Sequence, residues 1–258
     1  MALKAAVRDG VSLRYEEAGR GEPPLLFVHG WCCDHTFWAQ QVPAFSADHR
    51  VVAVDLRGHG ESDKPDQDYA ISGFVDDLAW LCYELGLERP VIVGHSMGGV
   101  IGMNLVRKRR ELARALVMVD SPAIPLPEAL QPVLAGTLAG LKSPSYVETA
   151  KNFVTAFMFR EDSDPSVKES VIQGMAAAPQ RVMRTALGDT VAPENLVPGP
   201  IGVPTLFVRA STQLSSADDL RQRYPGLEVV EVDAAHFLHM EKPAEFNAIL
   251  REFLKELR

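Results

Sequence analysis

The sequence predicts an α/β domain on a doubly wound, mostly parallel sheet, with an all-helical segment inserted into it. Three observations carry that reading. Short apolar runs recur along the chain, each bounded by Gly, Pro or Asp; one-sided helical patterns lie between them; and the alternation stops between about Pro122 and Pro200, where only helical spacing continues.

The apolar runs are Leu25 to Val28, Val51 to Val54, Val91 to Val93, Ala115 to Val119, Thr205 to Val208 and Val229 to Val232. Continuous runs of this length suit strands buried on both faces, as a parallel sheet covered by helices requires. Ile71, Phe74, Val75, Leu78, Leu81, Cys82 and Leu85 share one helical face, and Gly86 follows where such a helix should stop. Phe246, Ile249, Leu250, Phe253, Leu254 and Leu257 repeat the pattern behind Pro243, a helix-start residue. In the insert, Tyr146, Val147, Ala150, Phe153, Val154, Phe157 and Met158 keep helical spacing. Prolines and glycines such as Pro122, Pro125, Pro127, Gly136, Gly140, Pro144, Pro165 and Pro179 cut this segment into about four short helices. The expected division is a core of residues 1–121 and 200–258 and a helical cap of 122–199. A chain of 258 residues has room for one such large domain.

Composition narrows the function. Acidic residues outnumber basic ones, 34 to 26, and the net charge of −8 has the wrong sign for holding nucleic acid or an anionic membrane surface. Arg107, Lys108, Arg109 and Arg110 cluster where a helix should end, so a solvated, dipole-paired helix end is expected there. Three cysteines, Cys32, Cys33 and Cys82, form no C-x-x-C and no zinc spacing, so neither a disulfide framework nor a metal is expected, and no cofactor. The first residues lack a signal-peptide apolar core, no stretch approaches a membrane span, and the expected address is the cytoplasm.

Gly94-His95-Ser96-Met97-Gly98-Gly99 directly follows the run Val91 to Val93 and precedes the apolar stretch Val100 to Val106. This is G-x-S-x-G between a strand and a helix, a sharp turn that holds a nucleophile proud of a strained backbone. Ser96 is therefore the candidate nucleophile, with the strain expected to fall on the flanking glycines.

With three further segments, the chain resembles the α/β-hydrolase superfamily over nearly all of its length. They are His29-Gly30-Trp31, the stretch from Asp55 to Asp63, and the stretch from His236 to Pro243. The resemblance implies an oxyanion hole formed by the backbone N–H groups of Trp31 and Met97. It also implies that His236, five residues before Glu241 and seven before Pro243, is the general base, with His239 as its rival. A serine needs such a base, because its hydroxyl is a poor nucleophile until a proton acceptor is placed beside it. Asp55 and Arg57 are read as bracing their loop, and Cys32 and Cys33 as small pocket lining.

The third catalytic member departs from the family pattern. Relatives most often place the acid after the strand that here runs Thr205 to Val208, where this chain has Gln213. Glutamine cannot stabilise an imidazolium. Asp120, ending the run Ala115 to Val119, is the expected acid: the resemblance implies it, because some family members take their acid from that strand, and sites in open α/β sheets gather at the carboxyl ends of strands. Asp218, Asp219 and Asp189 are the alternatives.

Phe153, Phe157, Met158, Phe159, Met175 and Met183 make the insert apolar, which favours a small apolar ester or lactone as substrate. Trp31, Cys32, Phe153, Phe157, Met158 and Phe237 are the expected pocket residues. The leading expectation is a serine hydrolase. Carbon–carbon bond hydrolases, perhydrolases and cofactor-independent dioxygenases on the same scaffold are the enzymatic alternatives, and a ligand-binding protein without turnover is the non-enzymatic one.

Overall fold

A computed structural model describes residues 3–257. Its strands are β1 (Lys4–Arg8), β2 (Val11–Ala18), β3 (Leu25–Val28), β4 (Val51–Val54), β5 (Val91–His95), β6 (Ala115–Val119), β7 (Thr205–Ala210) and β8 (Leu227–Val232). They form one sheet in the order β1-β2-β4-β3-β5-β6-β7-β8. The pairs β1–β2 and β2–β4 are antiparallel, and every later pair is parallel.

All six predicted runs are strands. Five are fully buried, because alternate side chains enter opposite cores. Leu26, Val28, Val52 and Ile92 face one core, while Leu25, Phe27, Val51 and Val93 face the other with Trp38, Phe45 and Phe246. The run Val229 to Val232 departs from the expectation: β8 is the sheet's edge, and Val229 and Val230 are only half-buried.

The hairpin β1–β2 is an addition to the predicted strands. Only alternate residues, Ala6, Leu13 and Tyr15 among them, are buried, so no continuous apolar run exists. The signal lay in Asp9-Gly10, which takes φ values of 50° and 78° and closes the hairpin as an Asp-Gly pair does when both central turn residues are left-handed.

The helices are α1 (Val42–Phe45), α2 (Ile71–Glu84), α3 (Met97–Lys108), α4 (Gln131–Gly140), α5 (Tyr146–Phe157), α6 (Pro165–Ala176), α7 (Gln180–Thr190), α8 (Ala217–Arg223), α9 (Leu238–Glu241) and α10 (Pro243–Glu256). α2 buries the predicted face from Ile71 to Cys82, and α10 opens on Pro243. At the end of α3 the basic run is solvated as expected at Lys108, Arg109 and Arg110, and only Arg107 is half-buried. Arg107 donates to the carbonyl oxygens of Val197 and Gly199, and so ties down the loop that leads into β7.

Between β6 and β7 lie α4 to α7, with no strand among them. Two sets of bonds hold this segment against loops that leave the carboxyl ends of strands. On one side the Trp31 indole N–H donates to the Met183 carbonyl at 2.9 Å, the Tyr69 N–H to the Thr185 hydroxyl, and the Ile71 N–H to the Asp189 carboxylate. On the other, Arg160 pairs with Asp233 at 2.5 Å and donates to the Ser211 hydroxyl. None of the described helices is long and apolar enough to cross a membrane.

Candidate active site

β5 delivers the chain to Ser96 at the centre of the sheet, and α3 begins at the next residue. Ser96 itself, rather than a flanking glycine, takes the left-handed φ of 51°, with ψ −117°. Glycines 94 and 98 serve close approach instead. A Cβ on Gly94 would run into the backbone of Gly98 and Gly99, and one on Gly98 into the Val28 carbonyl oxygen. A serine held at such a φ is strained, and the surrounding hydrogen bonds impose it: Ser96 N–H donates to Val119 O at 2.8 Å, and its carbonyl receives the N–H of Gly99 at 3.0 Å.

The His29-Gly30-Trp31 loop packs directly against this turn. A Cβ on Gly30 would lie 3.2 Å from Ser96 Cβ and 2.9 Å from His95 Nδ1, so only glycine lets the loop sit so close. A turn from Gly30 to Cys33, closed by Cys33 N–H to Gly30 O at 3.2 Å, carries Trp31 and Cys32 in its middle. Cys32 takes φ 58° there. The N–H groups of Trp31 and Met97 are the two predicted oxyanion donors. Met97 opens α3, so its N–H is one of the first-turn donors with no intrahelical acceptor, at the positive end of the helix dipole.

His236 follows β8, and its Nδ1 lies 2.7 Å from Asp120 Oδ2. A carboxylate only accepts, so Nδ1 carries the hydrogen and Nε2 keeps the lone pair. The backbone of His236 is anchored on the residue before the serine: His95 Nε2 donates to the His236 carbonyl oxygen at 3.0 Å, and the two rings are 4.7 Å apart. His95 is buried, and burial pushes its pKa well below the ordinary histidine value, with the neighbouring His239 and His236 adding to the effect. It therefore stays neutral and props the His236 backbone.

Asp120 is 4% exposed and holds φ 43°, a left-handed position that turns its carboxylate back under His236. Its other oxygen accepts from Ala210 N–H at 2.8 Å and from the Gln213 side-chain amide at 3.3 Å. Of the alternative acids, Asp219 closes the capping box of α8 with Ser216, Asp218 pairs with Arg221, and Asp189 receives Ile71 N–H. None of them is turned to His236. His239 is fully buried: both ring nitrogens lack hydrogen-bond partners, its ring lies 4.5 Å from Trp38, and burial brings its pKa down to about 3.

The expected pocket residues separate into groups. Trp31 is buried, with Phe153 edge-on to its ring at 6.0 Å, and Cys32 is buried beside it. Phe237 is buried between the rings of His95, His236, Phe37 and Phe159. Met158 ends α5 half-buried, whereas Phe157, expected in the pocket, is 50% exposed and reaches only the Phe153 ring at 5.3 Å. Phe157 lies one helical turn beyond Phe153 on the same side of α5, where the helix ends and the face is more open.

Asp55 and Arg57 do brace their loop. Asp55 accepts from the N–H groups of His35 and Glu61 and from the His35 ring, while Arg57 grips Asp77 through two nitrogens. Asp34, His35 and Asp55 bring ligand-type atoms within 4.8 Å of one another. Those groups are engaged in this bracing and in capping Thr36, so the cluster is an internal strut.

The sequence profile described as alpha/beta hydrolase fold matches residues 23–243. Epoxide hydrolase 3 of Xenopus tropicalis is 26% identical over 96% of this chain and 76% of its own length. A thermophilic esterase from Thermogutta terrifontis superposes with a TM-score of 0.83 at 26% identity, over 100% of this chain and 99% of that one. An enol-lactonase from Burkholderia xenovorans LB400 shares the fold with a TM-score of 0.84 at 24% identity, over 98% of this chain and 100% of that one.

Proposed function

The chain belongs to the α/β-hydrolase fold family, and from that premise we propose a serine hydrolase that cleaves carboxylic esters or lactones carrying apolar groups. One observation carries the reading: the contact of His236 with Asp120 beside a serine held in a left-handed turn. In the proposed reaction Ser96 Oγ attacks the carbonyl carbon as His236 Nε2 takes its proton, and Asp120 stabilises the imidazolium that forms. The Trp31 and Met97 N–H groups receive the developing oxyanion, a pair of donors each worth about 3 kcal/mol in related chemistry. His236 then protonates the leaving alcohol, and water, deprotonated by the same ring, releases the acid from Ser96. The segment from α4 to α7 acts as the cap, with Phe153 against Trp31 supplying an apolar wall.

The nucleophile type favours esters over epoxides. Serine attack on an epoxide carbon would leave an alkyl ether on Ser96, which has no carbonyl for water to attack, so turnover would end after one event. An acyl-serine keeps its carbonyl and is hydrolysed. The apolar surroundings made by Phe153 and Trp31 favour a neutral substrate.

A panel of aryl and alkyl esters, lactones, epoxides and β-diketones, run on wild type and Ser96→Ala, tests the proposal. Turnover of esters or lactones with a burst of released alcohol, lost together with fluorophosphonate labelling in Ser96→Ala, is the expected result. Turnover confined to epoxides or β-diketones, or labelling that persists at full stoichiometry in the variant, would overturn it.

A further inference from the structure

The amide at Gln213 occupies the place where relatives most often carry the acid, and its contacts are those of a group serving another acid. Leu214 N–H donates to Gln213 Oε1 at 3.0 Å. A backbone N–H can only donate, so this bond fixes which end of the amide is oxygen, and the NH₂ end faces Asp120 Oδ1 and the Ser121 carbonyl, each at 3.3 Å. The backbone of Gln213 is held in turn, its N–H on the Ala210 carbonyl and its carbonyl on the Arg209 guanidinium. Arg209 is itself paired with Glu231. The side chain is therefore oriented at both ends before Asp120 meets it.

Resting on the proposed roles of Ser96, His236 and Asp120, we propose that Gln213 is a positioning residue for the Asp120 carboxylate. With Ala210 N–H it fixes Oδ1, so that Oδ2 alone is presented to His236. The amide does this without charge. A carboxylate in the same place would sit against Asp120, and two carboxylates at hydrogen-bond distance share one proton rather than both ionising. The migration of the acid to β6 and the glutamine on the loop after β7 are on this reading one device: the neutral donor holds the displaced acid.

The other charged or titratable groups near the pair are His95 and His239, both kept neutral by burial, Glu241, which accepts Ala235 N–H, and the exposed pair Arg160–Asp233. None of them contacts Asp120.

Three variants test the proposal in the full-length enzyme, with kcat, KM, pH profile and Tm measured on an ester substrate. Gln213→Leu should lower kcat about tenfold, the value of one hydrogen bond to a charged group, with KM little changed. Gln213→Glu should work while it shares a proton with Asp120 and lose activity as that proton leaves, adding an alkaline limb to the profile that wild type lacks. In an Asp120→Asn background Gln213→Leu should cost nothing further, because residues that act through one carboxylate are not additive. Gln213→Leu with wild-type kcat, Gln213→Glu without the new limb, or full additivity with Asp120→Asn would overturn the proposal. A loss confined to Tm would do the same. If Asp120→Asn or Ser96→Ala is itself fully active, the catalytic reading has failed instead, which separates the two outcomes.

Discussion

The Nδ1 of His236 stands 2.7 Å from Oδ2 of Asp120, although 116 residues, including the whole helical insert, separate them in the chain. β6 and β8 flank β7 in the sheet, so the loops after them converge at one edge. That adjacency lets an acid on β6 reach a histidine after β8 across the loop that follows β7.

Asp120→Asn should lower kcat by about 10⁴, the cost of the same replacement in a serine protease triad, because the amide favours the wrong imidazole tautomer. The fold should tolerate it, since asparagine accepts the φ of 43° and can still receive Ala210 N–H. Steady-state kinetics with a melting curve check this. A variant within threefold of wild-type kcat would leave Asp120 as a turn residue only.

His236→Ala and His239→Ala should fail in different ways. Loss of His236 removes the proposed base and should abolish turnover, whatever it costs in stability. His239 is fully buried against Trp38, so its truncation opens a cavity and should cost about 2 to 4 kcal/mol of unfolding free energy with kcat retained. Denaturant curves and kinetics on both variants read the difference. Equal catalytic losses would contradict it.

Stability should fall in acid below about pH 6.5. Burial lowers the pKa of His29, His59, His95 and His239, to about 3 for His59 and His239, from an ordinary value of 6.5. The unfolded chain therefore takes up protons below 6.5 that the folded chain refuses. Stability is present above that pH and is lost as pH falls, by up to about 1.4 kcal/mol per pH unit for each histidine. His35 acts in a different window, because its hydrogen bond to Asp55 raises its pKa: its contribution is complete below about pH 6.5 and is lost as pH rises through the raised value, so it leaves the acid slope unchanged. Urea unfolding between pH 7 and 5 should show the slope, and His239→Phe should flatten it by close to one proton. An unchanged slope in that variant would mean that His239 is protonated in the folded state.

The thiols should be silent in the native protein. Burial raises all three, Cys32 and Cys33 well above the ordinary thiol value and Cys82 to about 12, so almost no thiolate forms at neutral pH. Titration with a disulfide reagent at pH 7.5 should count none in buffer and three in denaturant. Rapid native labelling of Cys32 would instead show a reactive thiol next to Trp31.

Residues whose role depends on local pattern were legible in the sequence. The five buried strand runs, the faces of α2 and α10 and the turn that carries Ser96 follow from periodicity or from a few adjacent residues, because backbone hydrogen bonding and side-chain alternation are short-range properties, whereas the preference for His236 over His239 came from the family resemblance. The hairpin β1–β2 was signalled as weakly as a half-exposed strand always is, by Asp9-Gly10 alone. Other features were decided by the tertiary structure. β8 is an edge strand because no strand among the described residues pairs beyond it, and Phe157 is half exposed because Phe153, one turn earlier on the same face of α5, takes the place against Trp31. The strain of the serine turn falls on Ser96 because the glycines are used up in letting β3, β5 and α3 approach. The pairing of Asp120 with His236, and of Gln213 with Asp120, depends on strand order and on three loops meeting at one sheet edge. Sequence spacing carries no information about distances across a sheet, so the acid could be narrowed to a few aspartates but not oriented until the strands were placed.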